Sequence, residues 1–356
     1  MSRRRLFLVL APWAFLSVSM LLTRWARAPV PPNWAANEIA MPRMNEVASV
    51  SVFGPTSERL NAATRQREAE WRERLGEACH VWSSPPFVLA GDVDEATLRR
   101  VYRRTVLPAT RALVGEYFER LPDEPITLLV FKDTESYVAE AERLFGDRHL
   151  SVYGYYRPDR RTVVANLATG GGTLVHELTH ALMDFDFPDA PAWFQEGFAS
   201  LHEHGEFVLH DGRYVLRGLP NWREHDLPPG GLAGSLEQLL TRRRLQGEDE
   251  LVAYASSRHL CLFLQQQGKL ADCYRALRTA VAAGEDPHGV ATLRRALAAP
   301  SLSAVESSFR DWVETGCAIA DDPSDARSSR LRDAAALSTE PTVSAPLAAR
   351  PPRTLR

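Results

Sequence analysis

The sequence lacks the features that are typical of several other classes of protein. It contains only four cysteines, and none of them has the paired spacing of a structural zinc knuckle. Its charges nearly cancel, with 42 lysine and arginine residues against 45 aspartate and glutamate residues, so nothing predicts binding to nucleic acid. No internal repeat is present. The four cysteines leave free thiols and disulfides both open, with Cys261–Cys273 as one conceivable pair.

One long hydrophobic run is present, at the N-terminus. Three arginines at 3–5 precede an apolar segment at 6–22, which is near the lower length limit for a membrane-spanning helix. Pro29 follows the small-x-small sequence at 26–28 and disfavours cleavage there. We expect residues 1–28 to form an uncleaved signal anchor in preference to a removed signal peptide. The rest of the chain would then face outside the cytoplasm, on a single-pass cell-membrane anchor, or be secreted if the signal is cleaved.

The remainder divides by composition into a spacer, a folded region and a tail. Residues 29–57 contain five prolines and little periodicity, which is typical of a linker. Residues 321–356 are dominated by Asp, Ser, Ala, Arg and Pro, which predicts a disordered tail. Residues 58–320 are predicted to form one α+β domain, whose C-terminal part is helical from about residue 235.

Hydrophobic periodicity predicts the elements of this domain. Strands are expected at 87–90, 126–131, 152–156 and 161–166, and a hairpin at 206–217. Helices are expected at 58–78, 94–120 (with a break near Pro108), 134–145, 173–185, 193–203, 235–245, 250–267, 269–283 and 288–298. A small sheet therefore immediately precedes the helix at 173–185.

The most informative segment is His176-Glu177-Leu178-Thr179-His180. On a helix, positions i and i+4 lie on one face, so both imidazoles can reach one metal ion. Glu177 lies beside them, where it can take a proton from a water molecule activated by that metal. The surrounding apolar stripe predicts a helix with a buried face, and Thr173 is the expected N-cap.

A second segment, Trp193-Phe194-Gln195-Glu196-Gly197-Phe198-Ala199-Ser200, also has helical periodicity. It supplies Glu196 as a candidate third ligand. Two histidines, one carboxylate and an open fourth position are typical of a catalytic zinc site, whereas structural zinc sites are closed by four protein ligands.

These residues resemble a known group. HELTH followed by WFQEGFASLHE is similar to the gluzincin branch of zinc metallopeptidases, specifically to the peptidase MA-like domain family. The resemblance implies a zincin-like fold, Zn²⁺ held by His176, His180 and Glu196, and Glu177 as general base. It also implies a peptide or protein substrate, whose extended backbone pairs with an edge strand of the sheet, for which 161–166 is the candidate.

The resemblance also raises the question of which carboxylate orients a ligand histidine. Thermolysin-type enzymes have an aspartate four residues after the third ligand, where this chain has Ser200. Glu203, seven residues after Glu196 and on the same helical face, is the preferred candidate, and Asp184, four residues after His180, is the alternative. A solvated helix carboxylate remains the competing interpretation of Glu203.

Stabilising an oxyanion needs a hydrogen-bond donor in addition to the metal. In gluzincins of the aminopeptidase type a tyrosine several dozen residues past the third ligand has this role, and Tyr254 in the segment Tyr-Ala-Ser-Ser is at a similar separation. His259 is a weaker second candidate, and His225 a further one in a loop that nothing fixes. A tyrosine packed on a helical core is the alternative for Tyr254. His202 and His204 are expected to be surface histidines.

Taken together, the sequence predicts a membrane-tethered, extracytoplasmic zinc metallopeptidase. No motif for binding a free substrate amine is evident, which favours an endopeptidase over an exopeptidase. Two alternatives remain open at this stage. One is a non-catalytic zinc-binding envelope protein that uses the zincin fold to bind a partner, and the other is hydrolysis of a non-protein amide of the cell wall.

Overall fold

The computed structural model describes residues 57–148, 151–210 and 213–317. The predicted anchor at 1–28, nearly all of the linker at 29–57 and the tail at 321–356 lie outside these ranges. Across the described residues the chain is a mixed α+β structure, as predicted, with a five-stranded sheet followed by a largely helical C-terminal part.

Among the helices in the described ranges, none is both long enough and apolar enough to cross a membrane.

The sheet is built from five short strands. They are β1 (His80–Ser84), β2 (Phe87–Gly91), β3 (Ile126–Phe131), β4 (Gly154–Arg157) and β5 (Thr162–Asn166). Their order is β1-β2-β3-β5-β4, in which β2, β3 and β5 run parallel while β1 and β4 are antiparallel edges. The three parallel strands are fully buried and read as continuous apolar runs, because helices cover both faces of a parallel sheet.

This order corrects the predicted substrate-binding edge. The strand expected at 161–166 is β5, which lies inside the sheet between β3 and β4. The edge strand on that side is β4, Gly154–Arg157, which is only partly buried. The apolar residues at 163–165 and the complete burial of β5 suit a strand with two neighbours, whereas β4 carries two tyrosines and an arginine.

Four helical segments accompany the sheet. They are α1 (Glu58–Leu75), α2 (Glu95–Val101), α3 (Leu107–Glu116) and α4 (Thr134–Phe145). The long helix predicted at 94–120 is interrupted by a π-helical turn at Tyr102–Val106, where the Leu107 amide bonds to the Tyr102 carbonyl. Pro108 explains the break, because a proline has no N–H to donate to the carbonyl four residues earlier.

The second half of the domain carries the candidate metal-binding residues and most of the helices. It comprises α5 (Gly171–Asp186), α6 (Ala192–His202), the hairpin strands β6 (Gly205–His210) and β7 (Arg213–Gly218), α7 (Leu236–Leu240), α8 (Glu250–Gln266), α9 (Leu270–Ala282), α10 (Val290–Ala296) and α11 (Leu302–Glu314). The predicted helices are confirmed, although α7 is shorter than expected. Strand β1 and helix α11 had no counterpart in the prediction.

Two glycines set the spacing of helices α5, α6 and α8. A Cβ on Gly172, in the first turn of α5, would lie 2.2 Å from the carbonyl oxygen of Glu203 at the end of α6. A Cβ on Gly197, in the middle of α6, would lie 2.4 Å from the carbonyl oxygen of Ser257 on α8. Helix α6 is therefore held on both sides by contacts between main chains, which only glycine permits.

A buried ion pair closes the C-terminal end of α5. Asp186 is 2% exposed and accepts hydrogen bonds from the hydroxyl of Tyr274 and the guanidinium of Arg278. All four cysteines are free thiols, so the conceivable Cys261–Cys273 disulfide is not formed. Both of these thiols are buried in the helical core.

Candidate metal centre

Helix α5 places two histidines and a glutamate at the centre of the domain. His176, Glu177 and His180 are each 9% exposed, on a helix whose other face is packed in the core. Nε2 of His176 and Nε2 of His180 are 3.1 Å apart, so both ring nitrogens point toward the same position. The helix begins two residues before the predicted N-cap Thr173, with Gly170 at the cap position and no side-chain cap. The predicted N-cap was wrong, because the chain enters the helix earlier through Gly170, whose positive φ of 93° favours glycine.

Helix α6 brings a third candidate ligand to the same point. Pro191 occupies its N-cap position, and Trp193, Phe194 and Phe198 bury its apolar face. This orientation turns Glu196 toward α5. Its Oε2 atom lies 3.5 Å from Nε2 of His176 and 3.4 Å from Nε2 of His180. His176, His180 and Glu196 thus form a group that could hold a metal ion.

The three separations fit a four-coordinate ion. Atoms at the corners of a tetrahedron centred on an ion 2.0–2.1 Å away are about 3.3–3.4 Å apart. The observed distances are 3.1, 3.4 and 3.5 Å. The donor set of two imidazoles and one carboxylate suits a divalent transition metal and leaves a fourth position for water or substrate.

Electrostatics at this point also favour a cation. Burial lowers the pKa of His176, but contacts with the carboxylates of Glu196 and Glu203 outweigh it and raise this pKa to about 10. Burial raises the pKa of Glu196, yet His180 and His176 hold it well below its usual range. Glu196 therefore stays anionic and accessible as a ligand, and in the metal-free protein a proton on His176 takes the place of the metal charge.

Glu177 lies beside the ligand group without belonging to it. Among the described residues, no side chain or backbone group hydrogen-bonds its carboxylate. Burial raises its pKa, the two histidines lower it, and Glu196 and Glu203 raise it again, with a net increase. A carboxylate with a raised pKa is, when deprotonated, a stronger proton acceptor than an ordinary glutamate.

Glu203, at the end of α6, contacts a ligand histidine, whereas Asp184 does not. Nδ1 of His176 lies 3.4 Å from Oε2 of Glu203, which is an ion-pair contact when His176 is protonated, and no group in the described ranges hydrogen-bonds this buried nitrogen. The partner that the structure gives Asp184 is the hydroxyl of Tyr156, at 3.0 Å. Glu203 is therefore the carboxylate placed to orient the His176 ring, and it is buried, unlike a solvated helix carboxylate.

Tyr254, in the second turn of α8, is near the ligand group. It is partly buried, and the guanidinium carbon of Arg223 lies 5.7 Å from its ring centroid. Burial raises the pKa of the Tyr254 phenol, and the charges of Glu196 and Glu250 raise it further. The phenol therefore remains protonated and available as a hydrogen-bond donor near neutral pH.

The other candidate histidines lie elsewhere. His259 is fully buried, its Nδ1 donates to the carbonyl of Ala255, and its ring faces Trp312 in the helical core. His225 is exposed and donates to the carbonyl of Trp222. His202 was expected at the surface but is fully buried against Phe198 and Tyr117. The stripe of apolar residues on α6 extends one turn further than the sequence suggested.

Two polar residues at the site were missed by sequence reasoning. The segment at 219–227, called here the strap, follows strand β7 and contains a 3₁₀ helix at Trp222–Asp226. From it Asn221 Nδ2 donates to Oε1 of Glu203 at 3.1 Å, and Arg223 Nε donates to the same oxygen at 2.8 Å. No periodicity marks these residues, since they lie in a loop about 20 positions beyond their partner. The one signal that could have found them is the need of a buried carboxylate for compensating charge.

Comparison with known proteins adds no identification. Models of known protein families give no match to the chain, and a search of curated proteins gives none. The resemblance to gluzincins therefore rests on the two motif segments and on the geometry described above.

Two buried histidines, His202 and His259, should make the folding stability of the protein depend on pH. Burial lowers the pKa values of His202 and His259 from 6.5 to about 4, because each Nε2 is buried without a partner. The unfolded chain takes up these protons below pH 6.5, whereas the folded chain resists them until about pH 4. We expect stability to be complete above pH 6.5 and to fall by roughly 2 kcal/mol per histidine at pH 5.

Thermal denaturation between pH 7.5 and 5 measures this effect above the range in which the carboxylates protonate. The variants His202→Asn and His259→Asn keep a donor in the position of Nδ1 but do not titrate, so their melting temperatures should fall less with acidification. His80, exposed on strand β1, provides the control, since His80→Asn should follow the wild-type curve. Identical curves for all three variants would contradict the assignment.

Proposed function

We propose that this protein is a zinc metallopeptidase with a zincin-like domain, tethered to a membrane by residues 1–28 and facing outside the cytoplasm. The observation that carries the proposal is the convergence of Nε2 of His176, Nε2 of His180 and Oε2 of Glu196, at separations of 3.1 to 3.5 Å. The membrane tether rests on the arginines and apolar run of the N-terminal sequence.

The arrangement supports catalysis better than a purely structural metal site. Three protein ligands leave one position open, and the neighbouring Glu177 is buried beside the two histidines without a hydrogen bond to any described residue. A structural zinc site would be closed by a fourth protein ligand. Among the described residues no fourth histidine, cysteine or carboxylate joins the ligand group.

Each residue has a defined part in peptide hydrolysis. Zinc, when bound to His176, His180 and Glu196, supplies Lewis acidity that lowers the pKa of water and polarises a carbonyl. Glu177 accepts the proton of the attacking water and returns it to the leaving amine. The hydroxyl of Tyr254 donates a hydrogen bond to the oxygen that becomes negative during attack. Glu203 holds the His176 ring through Nδ1, so that Nε2 keeps its lone pair for the metal.

The substrate strand is proposed to pair with β4, Gly154–Arg157. This strand is the edge of the sheet next to β5, the strand that precedes α5 in the chain. Backbone pairing with an edge uses main-chain groups alone, so it discriminates little between peptide sequences. The proposed activity is therefore that of an endopeptidase with modest sequence preference.

Replacing Tyr254 by phenylalanine should lower kcat by about 10²- to 10³-fold, the usual effect of removing one oxyanion donor. KM should change little, because the hydrogen bond forms mainly in the transition state. Zinc content should stay at the wild-type level, since the phenol is not a ligand. Steady-state kinetics with metal analysis measures all three. Unchanged kcat would assign Tyr254 to core packing instead.

The decisive experiment is digestion of a mixed peptide library by the purified full-length protein, with its zinc content measured. Removal of zinc by a chelator should abolish cleavage, and its return should restore it. Bound zinc without cleavage of any peptide would favour the non-catalytic binding protein. Cleavage that survives complete removal of metal would overturn the proposal, as would the absence of bound zinc.

A further inference from the structure

We propose that Arg223 is a positioning residue for the metal centre: through Glu203 it fixes the ring of His176, and from the same place it contacts Tyr254. The inference rests on the proposed function, because it needs a metal at His176. It adds a residue that lies outside both motif segments and that the sequence did not indicate.

The contact with Glu203 is a buried ion pair. The side chain of Arg223 is 11% exposed and that of Glu203 is 6% exposed. Nε of Arg223 lies 2.8 Å from Oε1, and Nη2 lies 3.3 Å from Oε2, so the guanidinium addresses both carboxylate oxygens. A forked contact of this kind restricts rotation of the carboxylate as well as neutralising it.

The restriction reaches the ligand through Oε2 of Glu203. That oxygen faces Nδ1 of His176 at 3.4 Å, while Oε1 is held by Arg223 and by Asn221. Glu203 therefore acts on the His176 ring through a close ion-pair contact at Nδ1, and a change in the orientation of this carboxylate would release the ring. Without Arg223, a buried carboxylate would lose most of its compensating charge and would be free to reorient.

The strap that carries Arg223 is fixed at its own base. The guanidinium of Arg258, fully buried on α8, donates to the carbonyl oxygens of Ser200 and Leu219. Gln265, also on α8, forms hydrogen bonds with both the N–H and the carbonyl of Gly218. Helix α8 therefore holds the start of the strap as well as presenting Tyr254.

Arg223 also lies between two aromatic rings. Its guanidinium carbon is 5.7 Å from the ring centroid of Tyr254 and 5.7 Å from that of Trp222. The same side chain that orients Glu203 therefore packs against the proposed oxyanion donor. A displacement of Arg223 would therefore change both the contact behind His176 and the packing of the Tyr254 phenol.

The test compares zinc affinity of full-length variants by competition with a chromophoric chelator. Arg223→Gln should weaken zinc binding by about 10- to 100-fold, the usual effect of losing a partner behind a ligand. Arg223→Lys keeps the charge but loses the two-point guanidinium contact, so its zinc affinity should lie between those of wild type and Arg223→Gln. The absorption spectrum of the Co²⁺-substituted protein should change in Arg223→Gln, because the ligand geometry changes.

Arg278→Gln is the matched control, since Arg278 is 14% exposed and pairs with the buried Asp186 away from the metal site. It should lower the melting temperature by a similar amount and leave zinc affinity and the Co²⁺ spectrum unchanged. Tyr254→Phe should also leave zinc affinity unchanged. Arg223→Gln with wild-type affinity and spectrum would overturn the inference and leave Arg223 a structural residue.

A second variant and the wild-type protein separate the role of Arg223 from the proposed function. If Arg223→Gln does not fold, Asn221→Ala removes another contact to Oε1 of Glu203 and should weaken zinc binding by a smaller factor; unchanged affinity in both Asn221→Ala and Arg223→Lys would then overturn the inference. A wild-type protein that binds no zinc contradicts the proposed function itself. A wild-type protein that binds zinc and cleaves peptides, beside an Arg223→Gln variant identical to it, contradicts only the role of Arg223.

Discussion

Glu177→Gln should reduce peptide cleavage by about 10²- to 10⁴-fold while leaving bound zinc unchanged, because a general base contributes a factor of this size. The amide has the same shape as the carboxylate but cannot accept the proton of water. Burial, together with the carboxylates of Glu196 and Glu203, raises the pKa of Glu177 above that of an ordinary glutamate. A higher pKa makes the carboxylate a stronger base when it is deprotonated.

Single-turnover cleavage and zinc analysis of the same preparation measure this effect. The control is Glu135→Gln, at an exposed position in the first turn of α4, which should retain wild-type cleavage. Because Glu177 makes no hydrogen bond among the described residues, its replacement should barely change the melting temperature. Full activity in Glu177→Gln would remove this residue from the mechanism.

Glu196→Gln should weaken zinc binding by more than about 100-fold, beyond the range seen for residues that act behind the ligands. The substitution replaces an anionic oxygen that lies 3.4 to 3.5 Å from both ligand nitrogens. A neutral amide donates less charge to the ion, and it no longer compensates the buried histidines. Cleavage should be lost in parallel with the metal, and excess zinc should restore part of it.

Glu203→Gln provides the graded comparison for Glu196. Glu203 faces Nδ1 of His176 and does not face the metal position, so its replacement should weaken zinc binding by only about 10- to 100-fold. Titration of the two variants beside wild type measures the order directly. Equal affinities for Glu196→Gln and wild type would show that the third ligand lies elsewhere.

The candidate site could be predicted from sequence where its residues are close along the chain. His176 and His180 are one helical turn apart, so local periodicity alone brings them together. Glu196 required a second helix to turn back on the first, and the motif resemblance supplied that expectation. Glu203 was identified by its helical face as a candidate to orient a ligand histidine, and its Oε2 lies 3.4 Å from Nδ1 of His176.

Arg223 and Asn221 could not be found in this way. They are held by the strap, whose position depends on contacts with α8 some 40 residues further along, including that of Arg258 with Leu219. The prediction of the edge strand was wrong for a related reason. Pairing order in a sheet is a long-range property, and both β4 and β5 satisfied the local pattern of a strand. The burial of His202 likewise depends on a distant residue, Tyr117, which directly follows α3.

The main-chain contacts at Gly172 and Gly197 have a consequence for when the metal arrives. They fix the distances between α5, α6 and α8 through the backbone, so the positions of the ligand helices do not depend on an ion. Small zinc domains differ, since their chains stay unfolded until the ion binds. Under the proposed function, folding and metal acquisition would be separate events. The local supply of zinc, and not the supply of newly folded chain, would then set how much of the protein is active.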